Sequence, residues 1–366
     1  MKILHVLYSG LGGQGNVFLS LVRADKNKTY KYEALFHGVE VLKNEYINQC
    51  VTAGVPFSYI SKKAGWHMRF FFRVFRAVLK SDANIVFLHG SMLIYPVWLA
   101  NIFSRKKKYI IIRETQALHL KSRREETALK TAMELANRII FLSKDYANDV
   151  KKQLGRKYNA AKTDIIPNGI DLDFFSPSKK NTASSEFVMG MQSRIVQIKD
   201  HKTLLAAFAK TVSDNPAKTL KLRIAGDGEM LSALKQLAVS LGITELVEFT
   251  GMLPEKSLPH FLNSLDLYIH ASFGETMSTA IMQAMACEKP IIASDVEGIN
   301  NMLTDLKTGV LVAPSDINLL AEAIWKIYND KTFSRMLAEN ALEYARKNFS
   351  QTRMFDQYSL IFKSAS

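Results

Sequence analysis

The chain has 366 residues, of which 48% are apolar, so it is long enough for two domains that each bury a hydrophobic core. This apolar content excludes an intrinsically disordered chain. The two cysteines, Cys50 and Cys287, are far apart and neither belongs to a CxxC pair. Their placement disfavours a disulfide framework or a structural zinc site and favours a reducing compartment.

The net charge of +14 is confined to the first half of the sequence. Residues 1–175 contain 28 Lys and Arg against 14 Asp and Glu, whereas residues 176–366 contain 20 of each. A basic half indicates an anionic partner, such as membrane lipid, nucleic acid or a phosphorylated substrate.

Short apolar runs alternate with helical patterns along the first half, and the chain opens on one of them, which predicts a buried strand rather than a signal peptide. Runs of this kind predict a parallel sheet covered by helices on both faces. The predicted strands are Ile3–Tyr8, Tyr32–Phe36, Ile85–Leu88, Tyr109–Ile112, Arg138–Phe141 and Asp164–Ile166.

Two segments of this half have membrane-like character. The uncharged stretch 83–104 contains His89, Gly90 and Pro96, which predict a buried strand, a turn and a short helix rather than a membrane span. The segment 62–80 (KKAGWHMRFFFRVFRAVLK) predicts a helix with cations at three- and four-residue steps and several phenylalanines. Such a helix suits an anionic membrane interface, and it suits equally well a core helix whose arginines face water.

The second half repeats the alternation, so we expect two doubly wound α/β domains, 1–174 and 175–349, joined near the polar stretch Phe175–Ser185. Ligands of open α/β sheets bind beyond the carboxyl ends of the strands, which places the expected site in a cleft between the domains. The predicted strands are Phe187–Met191, Leu220–Ala225, Val247–Thr250, Leu267–His270, Ile291–Ala293 and Gly309–Val312.

Cations and a small-residue loop follow two of these strands. Arg194 and Lys199 can hold a diphosphate from two sides, although alone they are equally typical of solvated surface cations. After Leu267–His270, a loop with Glu275 opens a helix whose amides and dipole favour an anion. Gln283 lies eight residues beyond Glu275, about 12 Å along the axis, a length that suits a ligand lying along the helix. The simpler interpretation is that Glu275 only complements the helix dipole.

These segments resemble glycosyltransferase family 4, the retaining nucleotide-sugar transferases of the GT-B fold. The family's E-x7-E motif followed by AMA corresponds to E-x7-Q in GETMSTAIMQAMACEKPIIAS. The further matches lie in the expected order and span essentially the whole chain: IIPNGID at Ile165–Asp171, the SRIVQIKDHKTLL segment, AGDGEM at Ala225–Met230 and FTGMLP at Phe249–Pro254.

The resemblance implies roles for residues of the second domain. Arg194 and Lys199 would neutralise the donor diphosphate without a metal, and Glu275 would contact hydroxyls of the donor sugar. Gln283 departs from the glutamate that accepts the ribose hydroxyls, so we expect weaker donor binding rather than lost chemistry. The remaining donor contacts would be the backbone at Met252 and Leu253 and the amides of Thr276, Met277 and Ser278.

In the first domain, the resemblance implies that the loop with Gly12 and Gly13 closes over the donor phosphate and that His89 lies beside the reacting sugar. Glu114 stands where many relatives have a histidine, and we expect it on the acceptor side. The final helix, 350–366, would pack back on this domain.

We therefore expect a retaining transfer of a hexose or N-acetylhexosamine from a nucleotide sugar, UDP more than GDP, with no cofactor and no metal. The acceptor would be a lipid-linked or saccharide molecule of cell-envelope glycan synthesis, used by a cytoplasmic enzyme at the inner face of the plasma membrane. The alternatives are a nucleotide-sugar 2-epimerase on the same fold and a non-catalytic membrane- or nucleic-acid-binding paralogue. Recognisable nucleic-acid-binding modules are absent, so we expect no nucleic acid partner.

Overall fold

The computed structural model describes residues 1–365 except 11, 64, 66 and 179–185. The chain divides into two compact units, Met1–Gly169 with Gln351–Ser366, and Ile170–Ser350. We refer to them as the first and the second unit.

The first unit contains a seven-stranded parallel sheet in the order β3-β2-β1-β4-β5-β6-β7, so the strand order reverses between β1 and β4. Its strands are β1 (Lys2–Tyr8), β2 (Lys31–Gly38), β3 (Phe57–Ser61), β4 (Ile85–His89), β5 (Tyr109–Arg113), β6 (Arg138–Phe141) and β7 (Thr163–Ile165). Its helices are α1 (Gly13–Ala24), α2 (Asn44–Ala53), α3 (Met68–Lys80), α4 (Ile94–Phe103), α5 (Arg123–Leu135), α6 (Lys144–Leu154) and, from the end of the chain, α13 (Gln351–Lys363).

The second unit contains a six-stranded parallel sheet in the order β10-β9-β8-β11-β12-β13, which reverses between β8 and β11. Its strands are β8 (Phe187–Gln192), β9 (Leu220–Ala225), β10 (Val247–Gly251), β11 (Leu267–His270), β12 (Ile291–Ser294) and β13 (Val310–Val312). Its helices are α7 (His201–Asp214), α8 (Leu231–Ser240), α9 (Leu258–Asn263), α10 (Thr279–Ala286), α11 (Ile317–Asn329) and α12 (Lys331–Asn348).

The central strands of both sheets are buried on both faces, which is why β4, β5, β11 and β12 are nearly continuous apolar runs rather than alternating ones. In β5, Ile110 and Ile112 belong to one hydrophobic cluster and Ile111 to the cluster on the opposite face. In β12, Ile292 and Ile291 are divided in the same way. The twelve predicted strands are present in the described chain, and the α/β prediction is confirmed.

Strand β3 was not predicted from the sequence. It pairs only with β2 at the edge of the sheet, and Ile60 is its one fully buried residue. The segment therefore lacks the apolar run by which the other strands are recognised.

The division between the units differs from the prediction. The first unit ends at Gly169 rather than at 174, because Ile170 and Phe175 are buried in a hydrophobic cluster of the second unit. Phe175 is therefore part of a core, not of a linker. The rest of the predicted linker, from residue 179 to 185, lies outside the described residues.

The segment 83–104 forms strand β4, a 3-10 turn at Ser91–Leu93 and helix α4, as the sequence predicted. Across the part of the chain that the structure describes, no helix combines the length and the apolar character needed to cross a membrane.

The C-terminal helix α13 completes the core of the first unit. Phe362 and Tyr358 are fully buried beside Phe87, and the Tyr30 hydroxyl lies 2.8 Å from Ser359 Oγ.

We expect Phe362→Ala to lower the free energy of unfolding by about 3–5 kcal/mol through the cavity it leaves. Leu360→Ala, an exposed position on the same helix, should change it by at most about 0.5 kcal/mol. Urea denaturation of both variants measures this, and equal effects would contradict the assigned packing.

Candidate functional site

Two loops meet where the strand order of the second sheet reverses. One follows β8 and contains Lys199, and the other follows β11 and contains Glu275. Backbone hydrogen bonds join them, from Asp200 N to Ala271 O (3.1 Å) and from Phe273 N to Ile198 O (2.9 Å). The crevice at such a reversal is the usual ligand position in open α/β sheets. The backbone therefore brings Lys199 and Glu275 to this position.

Lys199, Glu275 and His270 form a polar cluster in which His270 is buried and the two charged side chains are 11% and 16% exposed. The Lys199 ammonium is ion-paired with Glu275 Oε1, and His270 Nε2 lies 2.8 Å from the same oxygen. Burial alone would raise the pKa of Glu275, but the Lys199 charge and the His270 hydrogen bond outweigh it and lower the pKa to about 2. Glu275 is therefore a carboxylate at neutral pH.

His270 is neutral and its tautomer is set by its neighbours. Burial lowers its pKa below the ordinary value, although Glu275 acts in the opposite direction. Because the Glu275 carboxylate accepts from Nε2–H, Nδ1 is the acceptor of the ring and lies 3.1 Å from the Tyr268 hydroxyl. The single hydroxyl proton is shared between Nδ1 and the Gln192 carbonyl oxygen, which lies 3.2 Å from the hydroxyl oxygen. Tyr268 and His270 thus hold Glu275 in one orientation.

Gln283 lies in helix α10 and is buried against the end of β8. Its Oε1 accepts a 2.9 Å hydrogen bond from Gln192 Nε2, while Gln192 Oε1 is buried without a hydrogen-bond partner. The side-chain oxygen expected to contact a ligand is therefore already held by the strand.

Arg194 is exposed in a loop that close backbone contacts fix in place. Ile195 N donates to Asp227 O (2.8 Å), and Met230 N donates to Ile195 O (3.1 Å). A Cβ at Gly228, where φ is +158°, would lie 2.2 Å from Ile195 O, so only glycine allows this approach. The AGDGEM segment thereby supports the backbone beside Arg194, whose guanidinium pairs with no residue that the structure describes.

Helix α10 begins at Thr279, directly after the loop that contains Glu275. Ser278 is its N-cap, with Oγ accepting from Ile281 N (3.4 Å), and the Ser278 amide donates to Met302 Sδ (3.2 Å). This amide, expected to hold a phosphate, is thus engaged by sulfur. Thr276 and Met277 precede the cap. Of the residues expected near a base, Met252 is exposed and Leu253 partly buried after β10.

A cavity of about 280 Å³ lies at the corresponding reversal of the first sheet, between the ends of β1, β4 and β5. His89 and Glu114, two of the expected site residues, line it together with Gln14 and Ser91. Gln14 joins two loops there: its Oε1 accepts from Tyr8 N and its Nε2 donates to Thr115 Oγ1, both at 3.0 Å.

His89 has both ring nitrogens engaged inside the protein. Nδ1 faces the Arg113 guanidinium at 3.5 Å and Nε2 lies 3.1 Å from His5 Nδ1. Because arginine only donates, His89 accepts at Nδ1 and donates from Nε2 to His5. Burial, with the His5 and Arg113 charges, lowers the pKa of His89 well below its ordinary value. Neither ring nitrogen of His89 is therefore left to contact a reacting sugar, as the resemblance implied.

Glu114 is completely buried and lies in an ion pair. Its Oε2 is 2.5 Å from Lys121 Nζ and 3.5 Å from the Tyr146 hydroxyl, while Oε1 has no hydrogen-bond partner. Gly12 caps helix α1, which begins at Gly13, and its backbone N–H and C=O both bond the Tyr46 hydroxyl. A Cβ at Gly12 or Gly13 would meet nothing within 4 Å, so both face open space.

Sequence reasoning missed His270, Tyr268 and Gln192. His270 and Tyr268 were recognised only as strand residues, since a buried polar residue in an apolar run gives no sign of its partner. Within the described residues, no three metal-ligating side chains converge.

Two family models match the chain. The model described as Glycosyltransferase Family 4 matches residues 11–174, and the model described as Glycosyl transferases group 1 matches residues 174–346. The uncharacterized glycosyltransferase MJ1069 of Methanocaldococcus jannaschii is 24% identical over 310 residues, 80% of this chain and 78% of that protein.

A D-inositol 3-phosphate glycosyltransferase of Mycobacteroides abscessus is 30% identical over 230 residues, 57% of this chain. The chain spans about half the length of this relative (49%). Among solved structures, Anabaena Alr3699/HepE in complex with UDP and glucose superposes with a TM-score of 0.84 at 20% identity, covering all of both chains. Sucrose-phosphate synthase from Thermosynechococcus elongatus gives 0.80 at 18% identity, covering 100% of this chain and 99% of that one.

The two parallel sheets and these structural relatives define the fold as GT-B, and the matching family models define the protein as a sugar-transferring enzyme. Since the two family models together extend from residue 11 to residue 346, the chain belongs to the group 1 glycosyltransferases, with a family 4 N-terminal half. The resemblance seen in the sequence is confirmed.

Lys199→Gln should raise the pKa of Glu275, because it removes the charge that opposes burial. A carboxyl with a folded-state pKa of about 2 adds stability that is complete above its ordinary value of 4.5 and is lost as the pH falls towards 2. The variant should therefore lose less stability than the wild type between about pH 5 and about pH 3. At pH 7 it should be less stable by at most about 3 kcal/mol.

Urea denaturation at several pH values measures this difference. The control is Lys210→Gln, which removes an exposed ammonium 3.0 Å from Asp214. If the free energies of unfolding of the wild type and Lys199→Gln fall in parallel between about pH 5 and about pH 3, the assigned coupling between Lys199 and Glu275 is contradicted.

Proposed function

We propose that the second unit binds a nucleoside diphosphate sugar, with UDP favoured over GDP, at the reversal between β8 and β11. The observation that carries this proposal is the cluster of Lys199, Glu275 and His270, with Arg194 exposed in the same loop as Lys199. A carboxylate that is held at one oxygen can accept hydrogen bonds from sugar hydroxyls at the other, and two cations can bind a diphosphate. The similar HepE structure contains UDP and glucose, which supports UDP as the donor nucleotide.

In the proposed reaction, Glu275 receives hydroxyls of the donor sugar while Arg194 and Lys199 stabilise the leaving diphosphate. Negative charge grows on the diphosphate as the anomeric bond breaks, so these cations act more strongly in the transition state than in the ground state. The Ser278 amide is engaged by Met302, which leaves more of this stabilisation to the two cations. Front-side displacement with retention needs no separate nucleophile and no metal.

We further propose that the sugar is a hexose or N-acetylhexosamine and that the acceptor is a lipid-linked or saccharide molecule of cell-envelope glycan synthesis. A 2-epimerase, which would need groups that move a proton at the donor sugar, is the second candidate on this fold. His89, a candidate proton carrier in the first unit, has both nitrogens engaged, which disfavours this alternative.

An exposed aromatic and basic surface on the first unit supports an anionic membrane as the partner. Helices α3 and α4 pack together, with Phe75 between Phe72 and Phe103 at ring distances of 6.0 and 6.2 Å. Phe72 and Phe103 are 58% and 65% exposed, so these rings are available to insert between lipids.

Cations surround these rings. Arg76 lies over Phe72 at 5.9 Å, and Arg73 is exposed on the same helix. Arg105 and Lys106 follow the end of α4 and are exposed. Each cation near an anionic leaflet contributes about 1 kcal/mol of attraction. We propose that this surface, together with Phe72 and Phe103, holds a cytoplasmic enzyme at the inner face of the plasma membrane, and that nucleic acid is not its partner.

Glu275→Ala should lower sugar transfer or donor hydrolysis at least about 100-fold, because Glu275 is proposed to contact the sugar. UDP binding should be retained or strengthened in this variant, because the Lys199 ammonium loses its carboxylate partner. Arg194→Ala should weaken UDP binding about tenfold or more, since a charge-assisted contact to the diphosphate is lost. Labelled UDP- and GDP-sugars with total envelope lipids measure transfer, and calorimetry measures UDP binding.

The control variant is Lys210→Ala, an exposed cation on α7 that should leave both quantities unchanged. If the wild type binds neither UDP nor GDP, the proposed donor site is wrong.

Vesicle flotation tests the membrane surface. The protein should bind phosphatidylglycerol-containing vesicles and not phosphatidylcholine alone. Arg73→Gln with Arg76→Gln should weaken binding about 10–30-fold, and Phe72→Ser with Phe103→Ser should also weaken it. Lys202→Gln with Lys235→Gln removes two exposed cations from the second unit and should have little effect. Equal binding to both kinds of vesicle would refute the proposal. An equal loss of vesicle binding in the Arg73/Arg76 and Lys202/Lys235 double variants would also refute it.

A further inference from the structure

Lys199 has two anionic partners in the proposed function. In the structure its ammonium is paired with Glu275 Oε1, and in the proposed reaction it also stabilises the donor diphosphate. One ammonium cannot neutralise a carboxylate and a diphosphate together, and Arg194 adds only one further positive charge. Binding of a nucleoside diphosphate therefore leaves an excess of negative charge beside Glu275.

His270 is the second ionisable side chain that contacts Glu275. Its Nε2 lies 2.8 Å from the oxygen that Lys199 also contacts, and the residue is 1% exposed. The ring is neutral in the structure because burial and the Lys199 charge lower its pKa, although Glu275 acts in the opposite direction. A diphosphate offsets the effect of Lys199, while the effect of Glu275 remains. Both changes favour a proton on the ring.

Other elements also direct titratable or polar groups towards His270. The complete set is Lys199, Asp200, His201, Tyr268, Glu275, Ser278 and Asp316. Burial lowers the pKa of His201 to about 4, so this second ring is neutral. The two aspartates cap α7 and α11 by accepting backbone amides. Ser278 caps α10, whose partial positive charge opposes a proton on His270 and is offset by a bound diphosphate.

The Tyr268 hydroxyl provides an acceptor for a second ring proton. Its oxygen lies 3.1 Å from His270 Nδ1 and 3.2 Å from the Gln192 carbonyl oxygen. If Nδ1 carries a proton, the hydroxyl oxygen accepts from it and donates its own proton to Gln192. The structure therefore accommodates an imidazolium by rotation of one hydroxyl, with both ring N–H groups paired.

We propose that His270 takes over from Lys199 as the cation paired with Glu275 when a nucleoside diphosphate binds. One proton passes from the buffer to Nδ1, and Tyr268 receives the new N–H. This inference rests on the proposed function and adds a residue outside the donor contacts. His270 is a positioning residue, because it acts through Glu275.

The proposal makes nucleotide binding depend on pH. Binding that takes up a proton becomes tighter as the pH falls. The effect is confined to the range between the lowered pKa of His270 in the free protein and its raised pKa in the complex. The spent nucleotide should therefore inhibit the enzyme more strongly in mild acid than in mild base.

Calorimetry of UDP in buffers of different ionisation enthalpy measures the protons taken up. The variant His270→Gln keeps an N–H donor for Glu275 but accepts no proton. At about pH 6.5 the wild type should take up about 0.5–1 proton per UDP more than this variant. The terminal phosphate of UDP titrates at about pH 6, and the comparison between variants cancels its contribution. The UDP dissociation constant of the wild type, relative to the variant, should fall up to about tenfold per unit of pH.

Tyr268→Phe is the second variant, because it removes only the hydroxyl. A proton on Nδ1 would then have no acceptor, so the uptake should fall by at least about half. His260→Gln removes an exposed histidine of the same unit and should leave the uptake unchanged. Nitrogen-15 NMR of labelled histidines in the wild type should show His270 as the Nε2–H tautomer alone and as an imidazolium with UDP.

Three results would overturn the inference. The first is UDP binding with the same proton uptake in the wild type and His270→Gln. The second is a His270 ring that stays neutral in the NMR spectrum of the UDP complex. The third is an uptake in Tyr268→Phe equal to that in His260→Gln. If UDP does not bind the wild type at all, the proposed donor site is refuted and this inference with it, a result that calorimetry separates from the other three.

Discussion

The ion pair between Lys199 and Glu275 is the interaction on which the second unit's site depends. It links the loop after β8 to the loop after β11, and backbone hydrogen bonds between those loops reinforce it. Burying a carboxylate here is possible only because Lys199 and His270 compensate for its lost hydration. Tyr268 then extends the network to the end of β8, so that one set of contacts orients both charged groups.

The first unit solves a similar problem differently. Its buried cation, Arg113, faces a histidine and an asparagine, His89 and Asn168, rather than a carboxylate. The direction of donation from Arg113 fixes the tautomers of His89 and then of His5, whose pKa burial lowers to about 3. Side chains that could exchange protons are thereby kept neutral.

Apolar runs were sufficient to find twelve strands of the described chain, and they are clearest in the central strands, because burial on both faces requires apolar residues at nearly every position. This pattern missed β3, an edge strand with one buried residue. It also misplaced the boundary beside Phe175, because the residues that follow Phe175 are mostly polar although Phe175 itself is in a core. The candidate site could be predicted from the sequence only in part. Motif order placed Lys199 and Glu275 near each other, but the sulfur contact to the Ser278 amide and the Gln192–Gln283 bond depend on long-range packing that no local pattern encodes.

The pairing of Lys199 with Glu275 also has a consequence for discrimination between ligands. A bare nucleotide that recruits this ammonium leaves the carboxylate behind, buried and uncompensated except by His270. A nucleotide that still carries its sugar offers hydroxyl donors in exchange, so the lost partner is replaced. In the proposed reaction, this pairing therefore favours the intact donor over the spent one, which eases departure of the nucleotide once its sugar has been transferred.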